Sequence, residues 1–255
     1  MMRHIKKGLL FSLSLLVLIA GCVTTGSPTQ KEKEARVQLG DSLLQEGKYQ
    51  DALRELLEAA EVDPENPGIQ NSLGLAYQNL REYDKAVSHY KRALQLKPNF
   101  PEVANNLGTV YVLMGELDTA IVYFQKAADD VLYRTRHYAF MNLGSTYHRK
   151  GEYRKAINSY KKALEFFPGY SPAYDNLGLS YEALKEWDRA VEAYQRSIEI
   201  DPESPVPHLR LGSLYLQLNR HEEAAEELLA TIRTDPQGPY GKEARKLLGE
   251  ARKTE

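Results

Sequence analysis

Residues 67–100 read PGIQNSLGLAYQNLREYDKAVSHYKRALQLKPNF, and the pattern they set recurs along the whole chain. In this stretch Leu73-Gly74 is followed, twelve residues after the glycine, by Ala86. Tyr77, Tyr83 and Tyr90 accompany the pair, and Pro98 closes the unit. The same Leu-Gly pair stands at Leu39-Gly40, Leu107-Gly108, Leu143-Gly144, Leu177-Gly178 and Leu211-Gly212, so the spacings are 34, 34, 36, 34 and 34. The alanines follow in phase at Ala52, Ala120, Ala156, Ala190 and Ala224, and prolines close four more units at Pro64, Pro168, Pro202 and Pro236. A fixed period of this length marks a repeat architecture. Small residues at the eighth and twentieth places predict two antiparallel helices per unit whose backbones approach closely where they cross. Gly47, Gly115, Gly151 and Asn219 fall at the turn between the two helices, where a left-handed residue can end the first one. Arg81 and Lys185 hold that place in units two and five and suit it less well. Asp84, Asp118 and Asp188 open second helices, where a carboxylate is expected to cap free amides and meet the positive dipole end.

These residues resemble the tetratricopeptide repeat, and the resemblance covers residues 33–238. It implies an all-α fold, a right-handed superhelical solenoid of six repeats at 33–66, 67–100, 101–136, 137–170, 171–204 and 205–238. One hairpin cannot bury its apolar stripe alone, so the units must stack. Residues 239–255 place Tyr240, Ala244, Leu247, Leu248 and Ala251 among Lys, Arg and Glu, which predicts an amphipathic helix capping the last unit. Most tyrosines fall at the eleventh, seventeenth and twenty-fourth places of the repeat and are expected in the core.

The N-terminus carries a different signal. Arg3, Lys6 and Lys7 precede the apolar run Leu9–Ala20, and Leu18-Ile19-Ala20-Gly21-Cys22 follows. Twelve helical residues span roughly 18 Å, short of a ~30 Å hydrocarbon core, so a signal peptide fits better than a membrane span. The segment resembles a bacterial lipobox, which implies cleavage after residue 21 and lipidation of Cys22, the only cysteine in the chain. Two or more acyl chains hold a protein stably at a membrane. Val23 is not the aspartate that such signals use to retain a lipoprotein at the inner membrane, so the expected location is the periplasmic face of the outer membrane. Residues 22–32 then form a flexible tether with a mean reach of roughly 18 Å. With Cys22 lipidated, no thiol is left for a disulfide.

Composition narrows the function. Removing Arg3, Lys6 and Lys7 takes the formal charge from -2 to -5, and such a chain lacks the basic footprint that nucleic acid requires. None of the six histidines, His137 and His148 included, stands at metal-ligand spacing with a carboxylate or cysteine. No nucleophile-base order or glycine-rich phosphate loop is present. The sequence therefore points to a non-enzymatic protein without cofactor or metal, whose partners are other proteins.

The binding surface of such an array is its concave face, lined by first helices. In this register the groove-lining candidates are Asn71, Asn105, Asn106, Thr109, Met141, Asn142, Ser145, His148, Arg149, Asp175, Asn176, Glu182 and Arg210, with Gln78, Val112 and Ser213 beside them. Asn106, Asn142 and Asn176 recur at the sixth place. Their amides either meet a bound peptide backbone or support the fold, and both readings stand. The Lys/Arg ring of a carboxylate clamp is absent, since Asn71, Leu75, Asn105 and Thr109 hold its positions.

Unit three lacks the closing proline and is two residues longer, through Asp129-Asp130-Val131-Leu132-Tyr133-Arg134-Thr135-Arg136. A kink or an altered loop is expected there. Three stretches, Ala35–Gly40, Asn105–Thr109 and Asp130–Tyr133 followed by Arg136 and Asn142-Leu143-Gly144, resemble the type IV pilus pilotin family. The chain departs from it at Arg134, where that family often has proline, and in two near-consensus final repeats. The resemblance implies an outer-membrane lipoprotein that escorts a secretin and helps it assemble. A general envelope scaffold for cell-wall or secretion machinery is the alternative.

Overall fold

The computed structural model describes residues 30–251. Cys22, the signal peptide and most of the tether lie outside the described residues. Thirteen helices and no strand occur among those described: α1 (Gln30–Gln45), α2 (Tyr49–Val62), α3 (Pro67–Asn79), α4 (Tyr83–Leu96), α5 (Pro101–Met114), α6 (Leu117–Asp129), α7 (Arg136–Arg149), α8 (Tyr153–Phe166), α9 (Ser171–Ala183), α10 (Trp187–Ile200), α11 (Pro205–Gln217), α12 (His221–Thr234) and α13 (Pro239–Ala251). No helix among the described residues is long and apolar enough to cross a membrane.

The helices pair in sequence, α1 with α2 through α11 with α12, and each second helix also packs on the next first helix. First helices α1, α3, α5 and α7 each touch the next first helix as well, a closeness that second helices do not share. The first helices therefore lie on the inside of the curve and form the concave face of an all-α solenoid. α13 packs on α12 and α11 and buries Ala244 there, with Leu247 and Leu248 half-buried. Tyr240, expected on that apolar face, is exposed, because its position in the first turn of α13 is not covered by another helix.

The repeat residues do what their sizes require, with one correction. Each twentieth-place alanine from Ala52 to Ala224 is fully buried. A Cβ added at Gly74, Gly108, Gly144 or Gly178 would not meet backbone. It would strike the ring of Tyr90, Phe124, Tyr160 or Tyr194 at 2.5–2.7 Å. Leu56 and Leu228 take that place opposite Gly40 and Gly212. The eighth-place glycine thus leaves room for a large side chain from the second helix, sixteen residues on.

Turns inside the repeats all place one residue at positive φ: Gly47, Gly115 and Gly151, but also Arg81 (62°), Lys185 (58°) and Asn219 (59°). Arg81 and Lys185 accept a strain of about 1 kcal/mol because the following backbone bonds, Glu82 N to Tyr77 O and Glu186 N to Tyr181 O, close the turn. The expected aspartate caps are absent. Asp84, Asp118 and Asp188 sit inside the first turns, after the caps Glu82, Glu116 and Glu186, and no side chain bonds the free amides at those helix starts. Their carboxylates are left with the dipole interaction alone. Closing prolines stand two residues beyond the last helical one, as at Leu96 and Pro98, and cannot prolong the helix.

One further point differs from expectation. α1 begins at Gln30, so residues 30–32 are helical rather than part of a flexible tether. The long third unit makes an altered loop, one of the two outcomes its length predicts. Its linker, residues 130–135, replaces the four-residue linkers found elsewhere, and Tyr133 folds back into the core at 6% exposure. Leu132 N bonds Asp130 Oδ1, and Arg136 Nε bonds Ala128 O, which ties both sides of the insertion. The core runs through it without a break: Phe124, Ala128, Tyr133, Phe140 and Leu143 share one cluster.

Candidate protein-binding groove

The concave face is built from first-helix side chains, and the second-helix tyrosines are buried beneath it. Each tyrosine ring fills the space left by a glycine, and its hydroxyl finds a partner on the first helix of the same repeat, at the twelfth place in repeats two and five and at the ninth in repeat four. Tyr90 Oη donates to Gln78 Oε1 at 2.9 Å, Tyr194 Oη donates to Glu182 Oε1, and Tyr160 Oη donates to Ser145 Oγ at 3.3 Å. Where the ring has no hydroxyl, the twelfth place is apolar: Phe124 goes with Val112, Leu56 with Leu44 and Leu228 with Leu216. Polar and apolar choices match along the array because a buried hydroxyl without a partner is costly. The tyrosines are core residues, as their spacing says, and the hydroxyls of these three are buried with their rings beneath the groove. Burial pushes the Tyr160 phenol up to about 12, and it raises those of Tyr90 and Tyr194 as well, so all three stay neutral.

A second pattern links the repeats. The sixth-place side chain of one unit donates to the fifth-place side chain of the unit before it. Asn106 Nδ2 reaches Asn71 Oδ1 at 3.3 Å, Asn142 Nδ2 reaches Asn105 Oδ1 at 2.9 Å, and Arg210 Nη1 reaches Asp175 Oδ2 at 2.7 Å. Asn176 breaks the ladder because its partner place holds Met141, which cannot accept well. Its amide turns instead to Pro172 O at 2.8 Å. The ladder takes up one donor of each amide, so the asparagines support the stacking and keep only their remaining hydrogen-bonding capacity for another chain.

The other groove candidates separate by burial. Thr109 donates to Asn105 O, Arg149 is exposed and reaches Val112 O, and Ser213 donates to Leu209 O. Met141 holds the same fifth place as Asn105 and Asp175, but its apolar side chain is buried in the cluster of Tyr160, Leu177 and Tyr181. Nothing in the sequence separated it from its polar neighbours except its own apolarity.

The groove is most polar across repeats four to six. Asp175 is only 8% exposed, and burial pushes its carboxyl up to about 6 despite the Arg210 guanidinium beside it. Its Oδ1 has no partner among the described residues. Burial also raises Glu182, and it lowers His148, with Arg210 adding to the effect. His148 Nδ1 lies 2.9 Å from Ser180 Oγ. The result is a strip of hydrogen-bonding groups of mixed charge on rigid helices, suited to an extended segment of another protein. Among the described residues no group of His, Cys, Asp and Glu is arranged to hold a metal ion.

Solved structures similar to this one include PilF of Pseudomonas aeruginosa, at 22% identity and a TM-score of 0.72 over 85% of this chain and 97% of that one. PilW, described as a widely conserved type IV pilus biogenesis factor, is similar at 22% identity and a TM-score of 0.76, over 87% of this chain and 100% of that one. MamA is similar at 26% identity and a TM-score of 0.59, over 69% of this chain and 94% of that one. No curated protein sequence matches the chain. Family models described as tetratricopeptide repeat match residues 37–101, 100–169, 139–203 and 181–249. The chain belongs to the tetratricopeptide repeat family, a protein-interaction fold.

Proposed function

We propose that the protein is a lipid-anchored, non-enzymatic pilotin that captures an outer-membrane secretin in its groove and holds it at the membrane while the ring assembles. One observation carries the reading: the likeness to PilF and PilW extends over nearly all of those chains, and here the same array follows a lipobox-like Cys22. The physical logic is tethering. Acyl chains on Cys22 keep the array at the periplasmic face of the outer membrane, and a groove-bound secretin segment shares that location. Its effective concentration there rises without any new contact. A general envelope scaffold for cell-wall or secretion machinery is the second reading, favoured by the two near-consensus final repeats.

Deletion of the gene tests the proposal. Secretin should be made but should not form heat-resistant multimers in the outer-membrane fraction, as read by fractionation and immunoblot. Normal outer-membrane multimers in the deletion strain would reject the pilotin role and favour the general scaffold.

A further inference from the structure

The solenoid has two edges, and they differ. Turns within repeats lie along one edge. Linkers between repeats, residues 63–66, 97–100, 130–135, 167–170, 201–204 and 235–238, lie along the other. Three of the outer linkers are polar and acidic, reading DPEN, DPES and DPQG, whereas the middle ones read KPNF, DVLYRT and FPGY. Exposed apolar side chains gather at this middle stretch. Val131 is 79% and Leu132 86% exposed, and Tyr138, Phe166 and Phe167 are each close to half exposed.

These residues form one patch. Val131 and Leu132 border a surface pocket shared with Phe100 and Lys97. Tyr138 N bonds Thr135 O of the same linker at 3.0 Å, the Tyr138 ring meets Tyr170 edge-on at 5.8 Å, and Tyr170 stacks on Phe167 at 5.8 Å. Cations sit over the rings: Lys97 over Phe100 at 4.3 Å, Arg136 over Phe166 at 4.5 Å and Lys162 over Phe140 at 5.5 Å. Asp129, Asp130 and Glu102 are the carboxylates beside the pocket.

The edge also bears the start of the chain's described part. Every first helix begins at this edge, and α1 begins there at Gln30. The ion pair between Lys33 and Asp63, 2.9 Å long, ties its first turn to the first linker. Seven residues, 23–29, separate Gln30 from Cys22, a span of at most roughly 27 Å when fully extended. A lipid on Cys22 therefore joins the array from this edge, the nearer of the two to the anchor.

We propose that the linker edge of repeats two to four docks on the membrane surface, with Val131, Leu132, Tyr138, Phe166 and Phe167 in the headgroup region and the basic side chains facing anionic lipid headgroups. Aromatic and aliphatic side chains flanked by Lys and Arg are what that interface takes up. A protruding rim of loops fits a flat, deformable surface. Docking lays the array on its edge and leaves the concave groove open sideways to a partner in the same plane. The inference rests on the lipid anchor of the proposed function.

The test separates the two. Residues 22–255, which contain every core residue described, are coupled through the Cys22 thiol to a maleimide lipid. The vesicles are phosphatidylethanolamine with one fifth phosphatidylglycerol, so the result does not depend on acylation in the cell. Lysine acetylation is then read by mass spectrometry. Lys97, Lys126 and Lys162 should be labelled several-fold more slowly on vesicles than in solution, while Lys48, Lys85 and Lys185 at the other edge keep their rates. The protection should fall when phosphatidylglycerol is omitted. It should also fall in Val131→Asp/Leu132→Asp/Phe167→Asp, whose exposed positions leave the core intact. Equal labelling at both edges, protection of the other edge, or protection that appears only when a protein partner is added would each overturn the proposal.

Discussion

Gly144→Ala adds a single methyl group, and the structure says where it goes. The new Cβ would lie 2.5 Å from Tyr160 Cε1, 2.6 Å from Cδ1 and 2.9 Å from Cζ. Ordinary carbon contacts are about 3.5–4.0 Å, so the ring must move by roughly 1 Å. Tyr160 is fully buried between α7 and α8, so the movement must be passed on to its neighbours. Overpacking of this kind costs about 1–3 kcal/mol. Losing the hydroxyl bond to Ser145 adds about 1 kcal/mol. Alanine returns about 1 kcal/mol through its better helix propensity. The expected net loss is about 1–3 kcal/mol, read as a lower urea midpoint by circular dichroism of residues 22–255. Two controls isolate the cause. Gly249→Ala, with no atom within 4 Å of its Cβ, should be neutral or slightly stabilising. In a Tyr160→Ala background, which removes the ring, Gly144→Ala should cost nothing further. A Gly144→Ala protein as stable as the parent, or an equal loss in both backgrounds, would refute the ring-in-glycine packing.

Three other outcomes follow from particular residues. Lys185→Gly should raise the stability by about 0.5–1 kcal/mol, read as a higher urea midpoint, since glycine takes φ near 58° without strain, and an unchanged or lower midpoint would contradict it. Asp175 holds its proton up to about pH 6 in the fold but only to about 3.8 when unfolded, so the native state binds the extra proton and this group's contribution to stability falls as pH rises from about 4 to 6. The loss is about 3 kcal/mol at most. Asp175→Asn should remove that part of the slope in urea melts from pH 4 to 7, and parallel profiles would count against the burial of the carboxyl. Cys22→Ala should abolish incorporation of a clickable fatty acid in growing cells, and label retained on the variant would reject the lipid anchor.

The repeat was legible because its spacing is set by a steric demand that few residues meet. Only glycine leaves room for a buried ring sixteen residues on, and the Gly-Ala register stated this six times. The object of that demand was not legible, since sequence spacing alone does not tell a ring from a backbone. The aspartate caps failed by two positions: Asp84 and its equivalents lie in the first turn rather than before it, and helix ends are the least sharply encoded boundaries. Residues 30–32 carry no apolar period, yet they prolong a helix already held by packing further along. In the groove, a list of first-helix positions found the polar side chains but could not show that Asn106 and Asn142 bond across repeats. The tyrosine hydroxyl bonds were hidden because the rings were read as core without asking where a buried hydroxyl finds its partner. The pairing of Tyr90 with Gln78 and of Phe124 with Val112 was present in the sequence and would have disclosed them.

Crosslinking in living cells tests the central claim, capture in the concave groove, most directly. A photoreactive phenylalanine analogue is placed at Asn176 or at Arg149, both on first helices, and at Val122, exposed on second helix α6. The account predicts that irradiation joins the two groove positions to the outer-membrane secretin and leaves Val122 without an adduct. Secretin adducts at Val122 but at neither groove position would contradict it.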